Sequence, residues 1–172
     1  TYNIQKLSMS NASFSVAPAY YTGSEVTPEV TVTHSGKTLV KDRDFIVTYH
    51  NNIEPSSYYN SPWVGIDGIG NYQGYVTKSF TINRADISSC TVTLSDESLT
   101  YTGSSLRPTV TVKSGDKELT LNQDYYVSYR NNWDAGTASV IVNGSGNYTG
   151  SVTKDFQIVP ADISNYEVTL YN

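Results

Sequence analysis

The side chains able to do chemistry in this chain are few and scattered. His34, His50, Cys90, Asp42, Asp44 and Asp67 are the candidates for nucleophilic or metal chemistry. A Ser/His/Asp or Cys/His arrangement needs a base poised beside its nucleophile. Neither histidine has a metal-ligand spacing, and both are read as solvated surface residues present only in the first half of the chain, with Lys and Arg in their places in the second. Hard cations take clustered oxygen ligands, and the three aspartates do not form an ordered loop of the EF-hand kind. No catalytic, metal or cofactor site is therefore expected. Gly68-Ile69-Gly70-Asn71 and Gly144-Ser145-Gly146-Asn147 superficially match phosphate-cradling loops, but such loops open a helix and a strand pattern follows here, so they read as hairpin turns. Asn11-Ala12-Ser13, Asn143-Gly144-Ser145 and Asn147-Tyr148-Thr149 satisfy the glycosylation pattern and are read as turn-shaping residues.

Two lysines and the aromatic residues carry the remaining candidates. Lys78 and Lys154 lie in register with the apolar positions Val76, Phe80 and Ile82, and Val152, Phe156 and Ile158. A charge on such a face is costly unless paired. The expected solution is a snorkelling side chain or a salt bridge, Lys78 to Asp44 and Lys154 to Asp124. Trp63 and Trp133, among 15 tyrosines, allow a sugar-binding face. Packing at the edge of the core is the favoured reading, because aromatic rings dominate burial in small cores.

The elements that hold these residues occur twice. Tyr21-Thr22-Gly23-Ser24 returns as Tyr101-Thr102-Gly103-Ser104, Asp44-Phe45 as Asp124-Tyr125, and Tyr49 with Asn51-Asn52 as Tyr129 with Asn131-Asn132. Gly68 to Tyr72 returns as Gly144 to Tyr148, and Val76-Thr77-Lys78 as Val152-Thr153-Lys154. A period of roughly 80 residues suits a small domain better than a solenoid repeat. In the second copy Thr91–Leu94 alternates with period two, Tyr125, Val127 and Tyr129 share a face, and so do Ala138, Val140 and Val142. Helical periodicity is absent. The pattern predicts an all-β chain of two tandem immunoglobulin-like β-sandwich modules, 1–84 and 85–160, with 161–172 opening a further repeat because Ala161-Asp162-Ile163-Ser164 repeats Ala85-Asp86-Ile87-Ser88. On that reading the chain is a fragment of a longer array whose targeting signals lie outside it. The junction Asn83-Arg84-Ala85-Asp86 lacks a Gly/Ser run, so an end-to-end arrangement is expected.

The first copy departs from the second in one place. Between Asn52 and Gly68 it is about four residues longer. Loop insertions are tolerated and often carry function. This loop, Ile53 to Trp63, gathers Tyr58, Tyr59 and Trp63, residue types enriched at energetic hot spots. It is the expected seat of any specific binding, against the alternative of a neutral insertion.

Composition narrows the class. Charged residues are only 16% of the chain and the net charge is −5 without a basic stripe, which excludes the usual nucleic-acid footprint. No apolar run reaches membrane-spanning length. Cys90 is the only cysteine, so no intramolecular disulfide can form.

The motifs Tyr-Thr-Gly, Pro-x-Val-Thr-Val, Asp-Tyr-x-Val-Ser-Tyr-x-Asn-Asn, Ala-Gly-Thr-Ala and Gly-x-Gly-Asn-Tyr-Thr-Gly together resemble tandem Ig-like repeats of Gram-positive cell-surface proteins. The resemblance covers Tyr21 to Ile82 and Tyr101 to Ile158, although the first copy has Tyr59-Asn60-Ser61-Pro62 in place of the Ala-Gly-Thr-Ala element. It implies an extracellular, secreted or wall-attached protein whose repeats form a stalk, spacer or adhesin array. Partners would be neighbouring repeats and a host or cell-surface protein or glycan. An isopeptide bond from Lys78 or Lys154 to an asparagine is a staple of other Gram-positive surface modules and stands as the sharper alternative to a salt bridge. From another functional class, the alternative is a carbohydrate-binding accessory module of a secreted glycan-active enzyme.

Overall fold

The computed structural model describes residues 4–165 together with Glu167 and Thr169. The expected opening strand at 166–172 lies mostly outside the described residues. The described chain is all-β, its only helical turns being three 3-10 turns of three residues each, and it is built from several small sheets, consistent with a β-sandwich. It divides into two compact units, 1–85 and 86–172.

In the first unit, Ala12–Val16, Val30–His34 and Lys37–Thr38 form one antiparallel sheet. Phe45–His50, Trp63–Gly68 and Tyr75–Ser79 form another. Their alternating apolar residues supply the core, in which Val32, Phe45, Val64 and Ile66 are buried. Two short parallel pairings close the unit, Leu7–Ser8 with Tyr72–Gln73 and Ala19–Tyr20 with Ile82–Asn83.

The second unit repeats this plan with longer strands. Thr91–Leu94, Val110–Ser114 and Lys117–Glu118 form a three-stranded sheet. Tyr125–Arg130, Gly136–Gly144 and Ser151–Val159 run antiparallel, with Ser98–Thr100 added in parallel along the last strand. The inward residues Ala138, Val140, Val142, Phe156 and Ile158 are buried as their spacing predicts. The short strand Ser98–Thr100 was not expected, since three residues are too few to show a period.

Pro62 explains why the two units differ. The register pairs His50 with Trp63 and Arg130 with Ser139, so Pro62 occupies the place of Ala138. Proline has no N–H to give the ladder. The central strand therefore starts at Trp63 in the first unit but three residues earlier, at Gly136, in the second. The last strand breaks correspondingly into Tyr75–Ser79 and Ile82–Asn83. The inserted loop restores the missing partner. Ser56 N–H donates to the Ile82 carbonyl at 2.8 Å, and Ile82 N–H donates to Ser56 Oγ at 2.9 Å.

The polar residues common to both copies bond to the backbone of their own unit. Asp44 Oδ2 accepts from Val40 N–H and Asp124 Oδ2 from Thr120 N–H, each at 2.9 Å. Tyr49 donates its hydroxyl to the Pro28 carbonyl at 2.6 Å, and Tyr129 to that of Pro108 at 2.7 Å. Asn52 and Asn132 donate side-chain amides to Val26 and Leu106 carbonyls at 3.0 and 2.8 Å. Asn51 and Asn131 both adopt positive φ, 54° and 53°, a conformation asparagine tolerates better than most residues. Buried backbone groups in irregular segments need such partners.

Tyr129→Phe should therefore lower the stability of the second unit by about 1–2 kcal/mol, because the buried Pro108 carbonyl loses its donor. The exposed neighbour Tyr126→Phe should change it by less than about 0.5 kcal/mol. Urea unfolding of the two variants checks the contrast.

Candidate functional site

The inserted loop has an internally bonded frame. Ser57 and Asn60 close a turn through Ser57 N–H to the Asn60 carbonyl at 2.9 Å, with Asn60 N–H returning to Ser57 Oγ at 3.1 Å. The Asn60 side-chain amide reaches the Glu54 carbonyl at 2.7 Å and also approaches those of Pro55 and Asn51. Asn51 donates to the Ser61 carbonyl at 3.3 Å. At the tip of this frame Tyr58 and Tyr59 are each 94% exposed, their rings edge to face at 5.1 Å. A tyrosine pair held in water by a bonded turn is a ready hydrophobic contact with polar tips.

Trp63 is set apart from that pair. It begins the central strand of its sheet, and its ring stacks on the opposite residue His50 at 3.8 Å and 11°. The stack is a cross-strand pair of the kind that stabilises a sheet face. Trp133 was expected at the core edge but is 55% exposed, on the turn between Arg130 and Gly136. The turn has no inserted loop to cover it.

His34 also differs from expectation. It is buried, not solvated, at the end of the strand Val30–His34. Its ring meets Tyr72 edge-on at 5.8 Å, Nδ1 lies 3.2 Å from Ser35 Oγ, and Nε2 is buried without a hydrogen-bond partner. The equivalent residue in the second unit is Ser114, since each pairs with a lysine across its hairpin. The lysine expected in this place is Lys113, one residue earlier and equivalent to Thr33, so the replacement is a serine. His50 is exposed as expected.

The structure does not bring the two lysines to the two aspartates. Lys78 and Lys154 are exposed, opposite Val64 and Val140 in their ladders. Their exposure removes the burial cost that called for a partner. Asp44 instead pairs with the adjacent Arg43, Nη2 to Oδ2 at 2.8 Å and Nε to Oδ1 at 3.1 Å. Asp124 has Gln123 at that position and bonds to Thr120 N–H. The Arg43 hydrogen bonds, followed by the Val40 N–H, hold the Asp44 carboxyl at about 2. Burial pushes the Cys90 thiol up, away from the reactive thiolate, and raises the phenols of Tyr49, Tyr125 and Tyr129. Among the described residues no group of three or more His, Cys, Asp and Glu side chains could hold a metal ion.

No family model, curated protein or solved structure matches the chain.

The Asp44 pair gives stability a defined acid limb. A carboxyl lowered on folding contributes stability that is fully present above its ordinary value of 3.8 and is lost as pH falls through about 2. Arg43→Ala should move the Asp44 titration upward, bringing that loss to higher pH. NMR titration of the Asp44 carboxyl in both proteins checks the direction.

Proposed function

We propose that this chain is a non-catalytic pair of Ig-like β-sandwich modules from a bacterial cell-surface or secreted protein, serving as a stalk, spacer or adhesin array. The observation that carries the reading is the use of the recurring polar residues. Asp44 and Asp124, Tyr49 and Tyr129, and Asn52 and Asn132 each satisfy a backbone group of their own unit. A sequence repeated for the sake of its fold, with little charge and abundant Thr, Tyr, Asn and Gly, suits a module made to be strung in series. The motif resemblance to Gram-positive surface repeats adds the extracellular location.

Recognition, on this reading, belongs to the part that is not repeated. Tyr58 and Tyr59 combine full exposure with a bonded support, so binding would immobilise little chain. Their exposure also favours the second reading, a carbohydrate-binding accessory module, because sugars stack on aromatic faces. A host or cell-surface protein would use the same rings as buried anchors.

Glycan arrays and immobilised surface glycoproteins, probed with the full chain, test the assignment. A ligand should be lost at least about tenfold on Tyr58→Ala with Tyr59→Ala, while the thermal midpoint stays within a few degrees. Binding unchanged in the double variant would remove the loop from the account. A glycan-only ligand would favour the accessory-module reading over the adhesin.

A further inference from the structure

Each unit is entered through the same small device. In the first, Ser8 caps the 3-10 turn Met9–Asn11, and Met9 is 0% exposed. In the second, Asp86 caps Ile87–Ser89, its carboxylate accepting from Ser88 N–H at 2.9 Å, and Ile87 is 0% exposed. The turn thus delivers one apolar side chain into its own unit as a plug.

The receiving socket is the glycine-rich hairpin. Met9 lies against Gly68, where an added Cβ would come within 2.7 Å of Met9 Cγ. Gly144 is the matching position, closed instead by the Thr149 backbone at 2.7 Å. The glycine after each hairpin, Gly74 or Gly150, has positive φ and sits beneath the capping residue, Ser8 or Asp86. Between these glycines lie the buried rings of Tyr72 and Tyr148. The Gly-x-Gly-Asn-Tyr-x-Gly sequence therefore lies against the entry segment in both units, through Ser8 and Met9 in the first and through Ala85–Asp86, which pairs with Tyr148–Thr149, in the second.

A third turn of this kind follows the strand Ser151–Val159. Asp162 caps the 3-10 turn Ile163–Asn165, accepting from Ser164 N–H at 2.9 Å. Here the apolar residue, Ile163, is 80% exposed. It forms one wall of an open, largely apolar recess of about 720 Å³, shared with Tyr101, Ala135 and Pro160. We infer that Ile163 is the entry plug of a further copy of this unit, to be buried in that copy's Gly-x-Gly-Asn-Tyr-x-Gly socket as Met9 and Ile87 are in theirs. The occupant of this exposed patch is thus a repeat of the same fold. The inference rests on the repeat architecture and is independent of adhesion or sugar binding.

The test extends the full chain after Asn172 with a second copy of residues 97–160, so that 161–172 opens a third unit. Hydrogen-exchange mass spectrometry then follows the segment 161–172, whose sequence is unique. Exchange there should slow by more than about tenfold on extension, and Ile163→Asp should abolish the slowing. Ile163→Met should preserve it, since methionine fills the first socket. In the unextended chain Ile163→Asp should leave the urea midpoint unchanged, whereas Ile87→Asp should open the second unit. The inference is overturned if extension leaves the segment unprotected or if Ile163→Asp stays protected. It is equally overturned if Ile163→Asp already destabilises the unextended chain, or if Ile87→Asp leaves the second unit folded.

Discussion

Everything in either unit depends on where its irregular backbone finds hydrogen bonds. Units of about 80 residues bury only a modest core, so an unsatisfied buried carbonyl is costly relative to their total stability. The aspartate before the third long strand meets this need from two sides. Its carboxylate holds Val40 or Thr120 N–H, and its own carbonyl accepts Ile69 or Ser145 N–H from the glycine-rich hairpin at 2.9 Å. That second bond places the hairpin, and the hairpin encloses the plug that enters the unit. Asp44 and Asp124 thus join strand, turn and entry segment into one structure. Tyr49 and Tyr129, with Asn52 and Asn132, do similar work at the other end of the strand.

Most of this was legible in the sequence. Period-two alternation located Thr91–Leu94, the inward faces at Ala138, Val140 and Val142, and the turn at Asn131 to Gly136. Repetition also separated framework from loop, since Asp44, Tyr49 and Asn52 recur and Tyr58 and Tyr59 do not. What stayed hidden depended on tertiary partners. A lysine between apolar residues reads as buried, yet Lys78 and Lys154 are exposed although they pair with buried Val64 and Val140 and share a face with buried Phe80 and Phe156. Asp44 had a closer cation in Arg43, an adjacent residue that repeat matching passes over because Gln123 replaces it. His34 reads as surface by type, and only its contact with Tyr72 shows otherwise. The entry turns were visible only as the repeated Ala-Asp-Ile-Ser at 85 and 161, with no hint that Ile87 is buried or that Met9 takes the same place in the first unit.

The single proline at position 62 shows how a small change can create a new surface. It ends the ladder that Gly136 and Thr137 continue in the second unit, and it leaves Ile82 needing a partner. The loop that supplies Ser56 must reach across the sheet edge, and its excess length projects Tyr58 and Tyr59 into water. Exposure of the tyrosines is then the geometric consequence of repairing a strand. The same repair would make that loop a favourable place for recognition to develop, since its frame is already ordered.

The central claim is that the recurring polar residues act on their own unit's backbone. Site-resolved amide exchange in Asp124→Ala tests it most directly. The account predicts faster exchange at Thr120, which loses its side-chain acceptor, a smaller change at Ser145, whose acceptor is the main-chain carbonyl that alanine keeps, and none at Val40 and Ile69 of the first unit. Protection retained at Thr120 would contradict it.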